Sequence, residues 1–457
     1  MKRIKTLSVS IFLLSIVFGC SNNTQTTKIK LLDPEFEYKS YSYIGDEFII
    51  SRSEYQDKFY GFWLAQCIAN WTGLVTEMDK IGNIGDIKTG NFYTREDWGK
   101  PDQPSIWGEG IPSELSPTID FVFEDSSGVW GADDDTDIEY MYQELLYKNN
   151  TSILSPEQIR DGWLTHIRSE EENYLWVSNQ AAFDLMNEGI LPPETSNPEL
   201  NPHWEMIDAQ LTTEIFGLFS PTRPDFAKKM ALLPIQTTAR EEAQWISEFY
   251  VNMYALAIHI DPSKSIPIKN QLMKQAEASA SDLPKDSYPS KMYQFVKTRY
   301  DAGIPWEQTR DEIYQHYQVE EQDGYDITSK DLYCNGCFAA GINFAASLVS
   351  LFYGEGDLLE TIKIGVLTGW DSDNPTATWG GMLGFIYGKE GVEKTFNREF
   401  SETFFIHRTR IGFENNGYDT FTNMANKGVY IIDRVVQEEL DGGIDLDKNV
   451  WYIPASY

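Results

Sequence analysis

The chain has 457 residues, 41% hydrophobic and 14% aromatic, enough to bury a large core. Its formal net charge is −33 at pH 7, with no basic run outside the N-terminus. That balance excludes nucleic acid and anionic membrane surfaces as partners, because phosphate binding needs clustered Lys and Arg. A small molecule or a glycan remains as the expected substrate.

Lys2, Arg3 and Lys5 precede an apolar stretch from Leu7 to Phe18, which runs into Gly19-Cys20. The charged start and short apolar run form a signal peptide over residues 1–19, too short to stay as a spanning helix. A small residue directly before Cys resembles a bacterial lipobox. The resemblance implies cleavage before Cys20, a diacylglycerol on its thiol, and a periplasmic or cell-surface protein of the bacterial envelope. Residues 20–40 then form the lipid-anchored Cys and a polar tether, and residues 41–457 a single domain. The lipid anchor is the one expected membrane contact.

Helical spacing dominates the chain beyond the tether. Phe59, Trp63, Cys67, Trp71, Leu74 and Val75 share a face of a helix over 55–78. Gly and Pro collect in long connections at 82–118 and 190–226, and Ile119–Phe123 has the character of a short strand. An acidic cluster, Gly131-Ala132-Asp133-Asp134-Asp135-Thr136-Asp137, opens a helix marked by Ile138, Met141 and Leu145. Trp245, Phe249, Met253, Leu256 and Ile260 mark a further helix, and Ile342, Ala345, Leu348, Val349 and Phe352 another. Between them, Cys334 and Cys337 form a C-x-x-C that suits a structural disulfide or two packed thiols, since a single C-x-x-C cannot complete a four-thiolate zinc site. A second acidic cluster, Gly369-Trp370-Asp371-Ser372-Asp373-Asn374, precedes Pro375 and the helical positions Trp379, Met382, Leu383 and Ile386. Asn374 as cap with Pro375 in the first turn is a helix-start pattern. His203, Arg408 and Arg410 are read as structural, the arginines pairing with surplus carboxylates.

A chain with 70 Asp and Glu shows acidic runs by chance. Two such runs at helix entrances, set among small residues, point instead to a metal site. Crowded carboxylates are costly unless a cation neutralises them, and hard divalent ions prefer oxygen ligands.

The residues also resemble the ADP-ribosylglycohydrolase superfamily. Asp57-Lys58-Phe59-Tyr60-Gly61 through Gly73-Leu74-Val75-Thr76-Glu77 resembles that family's opening helix. Asp133-Asp134-Asp135-Thr136 is similar to its T-D-D-T motif. Gly369 to Asn374, followed by Thr376, Gly380, Gly381, Gly384 and Gly388, is similar to G-G-D-T-D-T and its small-residue helix. The resemblance implies an all-α fold, a single large orthogonal helical bundle with long loops, and two divalent cations, Mg²⁺ or Mn²⁺. Carried over by position, the implied ligands are Asp134, Asp135, Asp371 and Asp373, with Asp133 and Asn374 in the places of two Thr residues. Glu77 is implied as ligand or acid/base, so the expected catalytic set is Glu77, Asp134 and Asp373. Trp370 stands in place of a Gly, where an aromatic face could stack on substrate. Asn70 stands in place of an Asp, and the family's central His has no counterpart at Thr237–Ala243. The implied activity is metal-dependent hydrolysis of an N- or O-glycosidic bond of a ribose-like or other sugar. The alternatives are a non-catalytic glycan- or nucleotide-sugar-binding lipoprotein that keeps the metal, and a metal that only ties two helix ends together.

Overall fold

Small and aromatic residues build the framework. In the computed structural model, which describes residues 31–108, 113–168, 173–330 and 332–455, fourteen α-helices form among the described residues. They are α1 (Arg52–Gly73), α2 (Asp134–Lys148), α3 (Pro156–His166), α4 (Val177–Asn187), α5 (Ile215–Leu218), α6 (Pro224–Thr238) and α7 (Glu241–Leu256). The remainder are α8 (Ile268–Ala280), α9 (Tyr288–Asp301), α10 (Trp306–Ile313), α11 (Ala340–Gly354), α12 (Leu358–Thr368), α13 (Asp373–Phe396) and α14 (Phe421–Arg434). The all-α expectation holds. Leu32–Tyr457 pack as one unit. The signal peptide, Cys20 and most of the tether lie outside the described residues. No described helix is long and apolar enough to cross a membrane.

The central pair is α1 against α13. A Cβ on Gly384 would lie 2.3 Å from the Gly61 carbonyl oxygen and 2.3 Å from the Ala65 Cβ, and one on Gly380 would lie 2.3 Å from the Ala69 Cβ. Only hydrogen fits at these positions, so the two backbones nearly touch. The contacts run in opposite senses along the two helices, which makes the pair antiparallel. The end of α1 is thereby laid against the start of α13. Ser51 caps α1 by accepting the Glu54 N–H, and nearly every α1 side chain is buried.

Three short strands close the unit. β1 (Glu47–Ser51) and β2 (Gly443–Asp445) each pair antiparallel with β3 (Val450–Pro454), joining the segment before α1 to the C-terminal segment.

Several elements differ from the sequence expectation. The first helix starts at Arg52 and stops at Gly73, because a Cβ on Gly73 would already lie 2.3 Å from the Asp373 Cα. Leu74 to Glu77 continue as a turn. Ile119–Phe123 is not a strand: Phe121 and Phe123 pack on Phe396, and Ile119 exchanges backbone hydrogen bonds with Gly99 and Lys100 in an irregular loop. Asn374 is not the cap of α13, which begins at Asp373 after Ser372. Cys334 and Cys337 are joined as a disulfide.

Candidate metal centre and active site

The turn after α1 and the turn before α13 are locked together through their backbones. The Met78 N–H donates to the Trp370 carbonyl at 2.9 Å, and the Trp370 N–H donates to the Lys80 carbonyl at 2.8 Å. Gly369 has φ +100°, and a Cβ there would meet the Lys80 carbonyl oxygen at 2.6 Å, so glycine alone allows this pairing. Ser372 Oγ donates to the Gly73 carbonyl at 2.9 Å, and the Asp371 N–H to Asn343 Oδ1 at 3.2 Å. These ties aim three carboxylates at one another. Glu77, Asp371 and Asp373 each present an oxygen, and the three oxygens lie within 4.8 Å of one another.

The first acidic cluster arrives from α2. Asp133 caps that helix in a reciprocal box with Thr136, leaving its own carboxylate at the helix entrance. Asn70 of α1 donates Nδ2 to Asp133 Oδ2 at 3.0 Å. Asn374 donates Nδ2 to Asp135 Oδ1 at 3.3 Å. Asp133, Asp135 and Asp373 again place three oxygens within 4.8 Å of one another. Asp373 belongs to both triads.

The electrostatics are severe. Burial and the neighbouring carboxylates, Asp373 first among them for Glu77, Asp133, Asp135 and Asp371, hold all four well above the usual carboxylate range. Burial raises Asp373 too. Asp133 Oδ1 and Asp373 Oδ1 are buried without a hydrogen-bond partner among the described residues. A donor set made only of oxygen, crowded, buried and incompletely satisfied, is the chemistry that hard divalent cations accept.

The triads open into a cavity of about 200 Å³. Asp134, expected as a ligand, lines the cavity and lies outside both triads. Asn374 is buried behind the ligands, its Oδ1 accepting from Gln210 Nε2 at 3.1 Å while its amide supports Asp135. Both ends of the Asn374 amide, expected as a ligand, are thus engaged by protein groups. Trp370 does not line the cavity: its ring is fully buried against Phe92 and donates Nε1 to Gln318 Oε1 at 2.8 Å, in a π-helical turn over Tyr314–Val319. It fills space behind the site and offers substrate no face.

Residues given no site role from sequence complete the wall. Asp137 Oδ2 lies 3.0 Å from Arg410 Nε, both buried, and burial still pushes Asp137 up to about 6 despite the guanidinium. Arg410 thus pairs with a carboxylate as expected, but does so in the cavity. Asp208 is pushed up to about 6 by burial, against the 2.8 Å hydrogen bond it accepts from the Asn179 N–H. His407, lowered to about 4 by burial and by Arg410 and Arg408, is neutral at physiological pH. Trp107, Tyr174, Trp176 and Phe338 form the aromatic side. They come from three separate segments, and no local pattern marks these as neighbours. His203 is not part of the lining.

Residues 51–426 match the family model described as ADP-ribosylglycohydrolase. No curated protein matches the chain. Among solved structures, one described as an ADP-ribosylglycohydrolase-related protein complex is 15% identical, covering 83% of this chain and 98% of its own, with a TM-score of 0.47. The family match spans most of the chain, including both acidic clusters and the helix that faces them. The chain belongs to the ADP-ribosylglycohydrolase family.

Proposed function

We propose that the protein is a metal-dependent glycoside hydrolase using two divalent cations, Mg²⁺ or Mn²⁺, one held by Glu77, Asp371 and Asp373 and the other by Asp133, Asp135 and Asp373. The observation that carries this reading is the sharing of Asp373 between two carboxylate triads at the wall of one cavity. Bound there, divalent cations would supply Lewis acidity toward a vicinal diol of the sugar and toward the attacking water. The chain's own groups do the rest. Asp134, in the cavity lining outside the triads, would take the proton from water and pass it to the departing group, while Glu77 stays with its cation and orients that group. Arg410 holds Asp137 in place and adds a cation to the wall.

The expected lipid anchor at Cys20 would put this chemistry in the bacterial envelope, where ADP-ribosyl proteins made from cytosolic NAD are scarce. A glycan or glycoconjugate, outside the cell or imported, is therefore the favoured substrate class. A second reading, a lipoprotein that binds such a ligand without turnover, rests on Asn70, an amide where the family has a carboxylate, which donates to Asp133.

Sugar release by the purified protein, with Mg²⁺ or with chelator, separates the readings. The panel would hold ADP-ribosyl-arginine, ADP-ribosyl-serine, and aryl furanosides and pyranosides. Release that needs Mg²⁺ is the expected result. Release that persists in chelator would sink the metal-dependent mechanism, and no release with metal bound would favour the binding protein.

A further inference from the structure

The cavity's aromatic side continues outward as a row of stacked rings. Trp107 lies nearly parallel to Trp176 (centroids 5.9 Å, planes 17° apart) and to Phe338 (5.9 Å, 20°). Phe338 in turn lies parallel to Tyr333 (6.3 Å, 12°). Carbon atoms in contact sit about 3.5–4 Å apart, so parallel rings at these separations are stepped sideways, which leaves part of Trp107, Trp176 and Tyr333 uncovered while Phe338, 6% exposed, is buried beneath them. Trp107 is 38% exposed, Trp176 42% and Tyr333 59%, an unusual amount of open aromatic surface in one place. Trp176, Trp107 and Phe338 line the acidic cavity, while Tyr333 lies beyond it, so the row leads from the reaction site to the surface.

The row is held rigid. The Cys334–Cys337 disulfide closes the loop between Tyr333 and Phe338. Trp107 donates Nε1 to the Tyr333 hydroxyl at 2.9 Å. The Ile106 N–H donates to the Met78 carbonyl at 3.2 Å, tying the Trp107 segment to the turn that carries Glu77. The Ile207 N–H donates to the Phe338 carbonyl at 2.9 Å. Rings fixed before a ligand arrives lose little entropy on binding it.

Charge then narrows the ligand. Among the described residues, eight carboxylates line the cavity against one guanidinium, Arg410, which Asp137 already engages. That leaves no unengaged cationic side chain among these lining residues to hold a diphosphate, whereas an uncharged chain needs none. We infer that Trp176, Trp107 and Tyr333, backed by the buried Phe338, form a platform for successive sugar rings of a neutral oligosaccharide, whose terminal unit enters the acidic cavity. This rests on the glycosidase reading for the reaction but not for the binding.

The test is a tryptophan-fluorescence titration of the purified protein in chelator, so that the platform is read without bound cations. The probes are neutral arabino-, xylo-, gluco- and manno-oligosaccharides of one to six units, and ADP-ribose. In at least one series the affinity should rise about tenfold or more from one unit to four. Trp107→Ala and Tyr333→Ala should each bring that ratio close to one. Tyr333 is the more exposed ring, so its removal keeps the test valid where Trp107→Ala destabilises the loop. Affinity flat with chain length in every series, variants that keep the ratio, or ADP-ribose binding more tightly than every oligosaccharide would each overturn the proposal. Length-dependent binding without Mg²⁺-dependent hydrolysis upholds the platform and rejects the glycosidase. Mg²⁺-dependent hydrolysis with flat affinity rejects the platform alone.

Discussion

Asp373 carries two duties, and its neighbours one each. Because both triads use it, Asp373→Asn should remove both cation sites and lower the rate of sugar release by on the order of a thousandfold or more, as loss of a central electrostatic element does. Asp134→Asn should leave cation affinity nearly intact and lower kcat, since Asp134 lines the cavity outside the triads. Calorimetric Mn²⁺ binding beside steady-state rates distinguishes the two variants. At this scale the sequence was informative where residues act in runs: Asp133, Asp135, Asp371 and Asp373 converge, while Asp134, carried over as a ligand, stands outside both triads. It said little of where side chains meet across the fold. Trp370 stands beside the second cluster in sequence, yet its backbone turn sends the ring into the interior. Arg410 and His407, far along the chain from Asp137 and Asp134, reach the same wall only through the folded chain.

Between elements, the pairing of α1 with α13 sets the site. Gly384→Val would force a side chain into the Gly61 carbonyl and the Ala65 Cβ, destabilising the fold by about 3 kcal/mol through overpacking. Thermal unfolding should show that loss, together with weaker cation binding, since separating the helices separates Glu77 from Asp373. The same bundle buries a second acidic pair. Glu139 accepts from Gln66 Nε2 at 2.5 Å and from the Ile215 N–H at 3.0 Å, and Glu214 accepts from Thr378 Oγ1 at 2.9 Å. Burial raises both carboxyls, and for Glu139 the neighbouring Glu214 adds to it. A carboxyl whose folded-state pKa is raised stabilises the fold below its unfolded value, and that contribution is lost as pH rises through the folded value. Stability should therefore fall between mildly acidic and neutral pH, and Glu214→Gln, which keeps the acceptor for Thr378, should flatten the fall in a melting series across pH. Helical spacing along α1, α2, α7 and α11 was visible in the sequence, as was the small-residue run of α13. Which helix those glycines admit was not, because the close approach belongs to a pair of helices at opposite ends of the chain.

For the whole molecule, helical content and the pair of acidic clusters followed from pattern, while the aromatic row at the mouth did not, since its rings come from loops and helix ends with no shared period. A fold built around mutually repelling buried carboxylates should gain stability from the ions that neutralise them. Saturating Mn²⁺, at about a hundred times its dissociation constant, should stabilise the protein by about 2.7 kcal/mol per site by mass action, and chelator should reverse the shift in Tm.

The most direct test of the two-cation reading is the stoichiometry of Mn²⁺ bound by the purified protein and by Asp373→Asn, measured by isothermal titration calorimetry. Two ions per chain in the natural protein, with neither site retained at comparable affinity in the variant, is the predicted result. No binding in the natural protein, or an unchanged stoichiometry and affinity in Asp373→Asn, would contradict it.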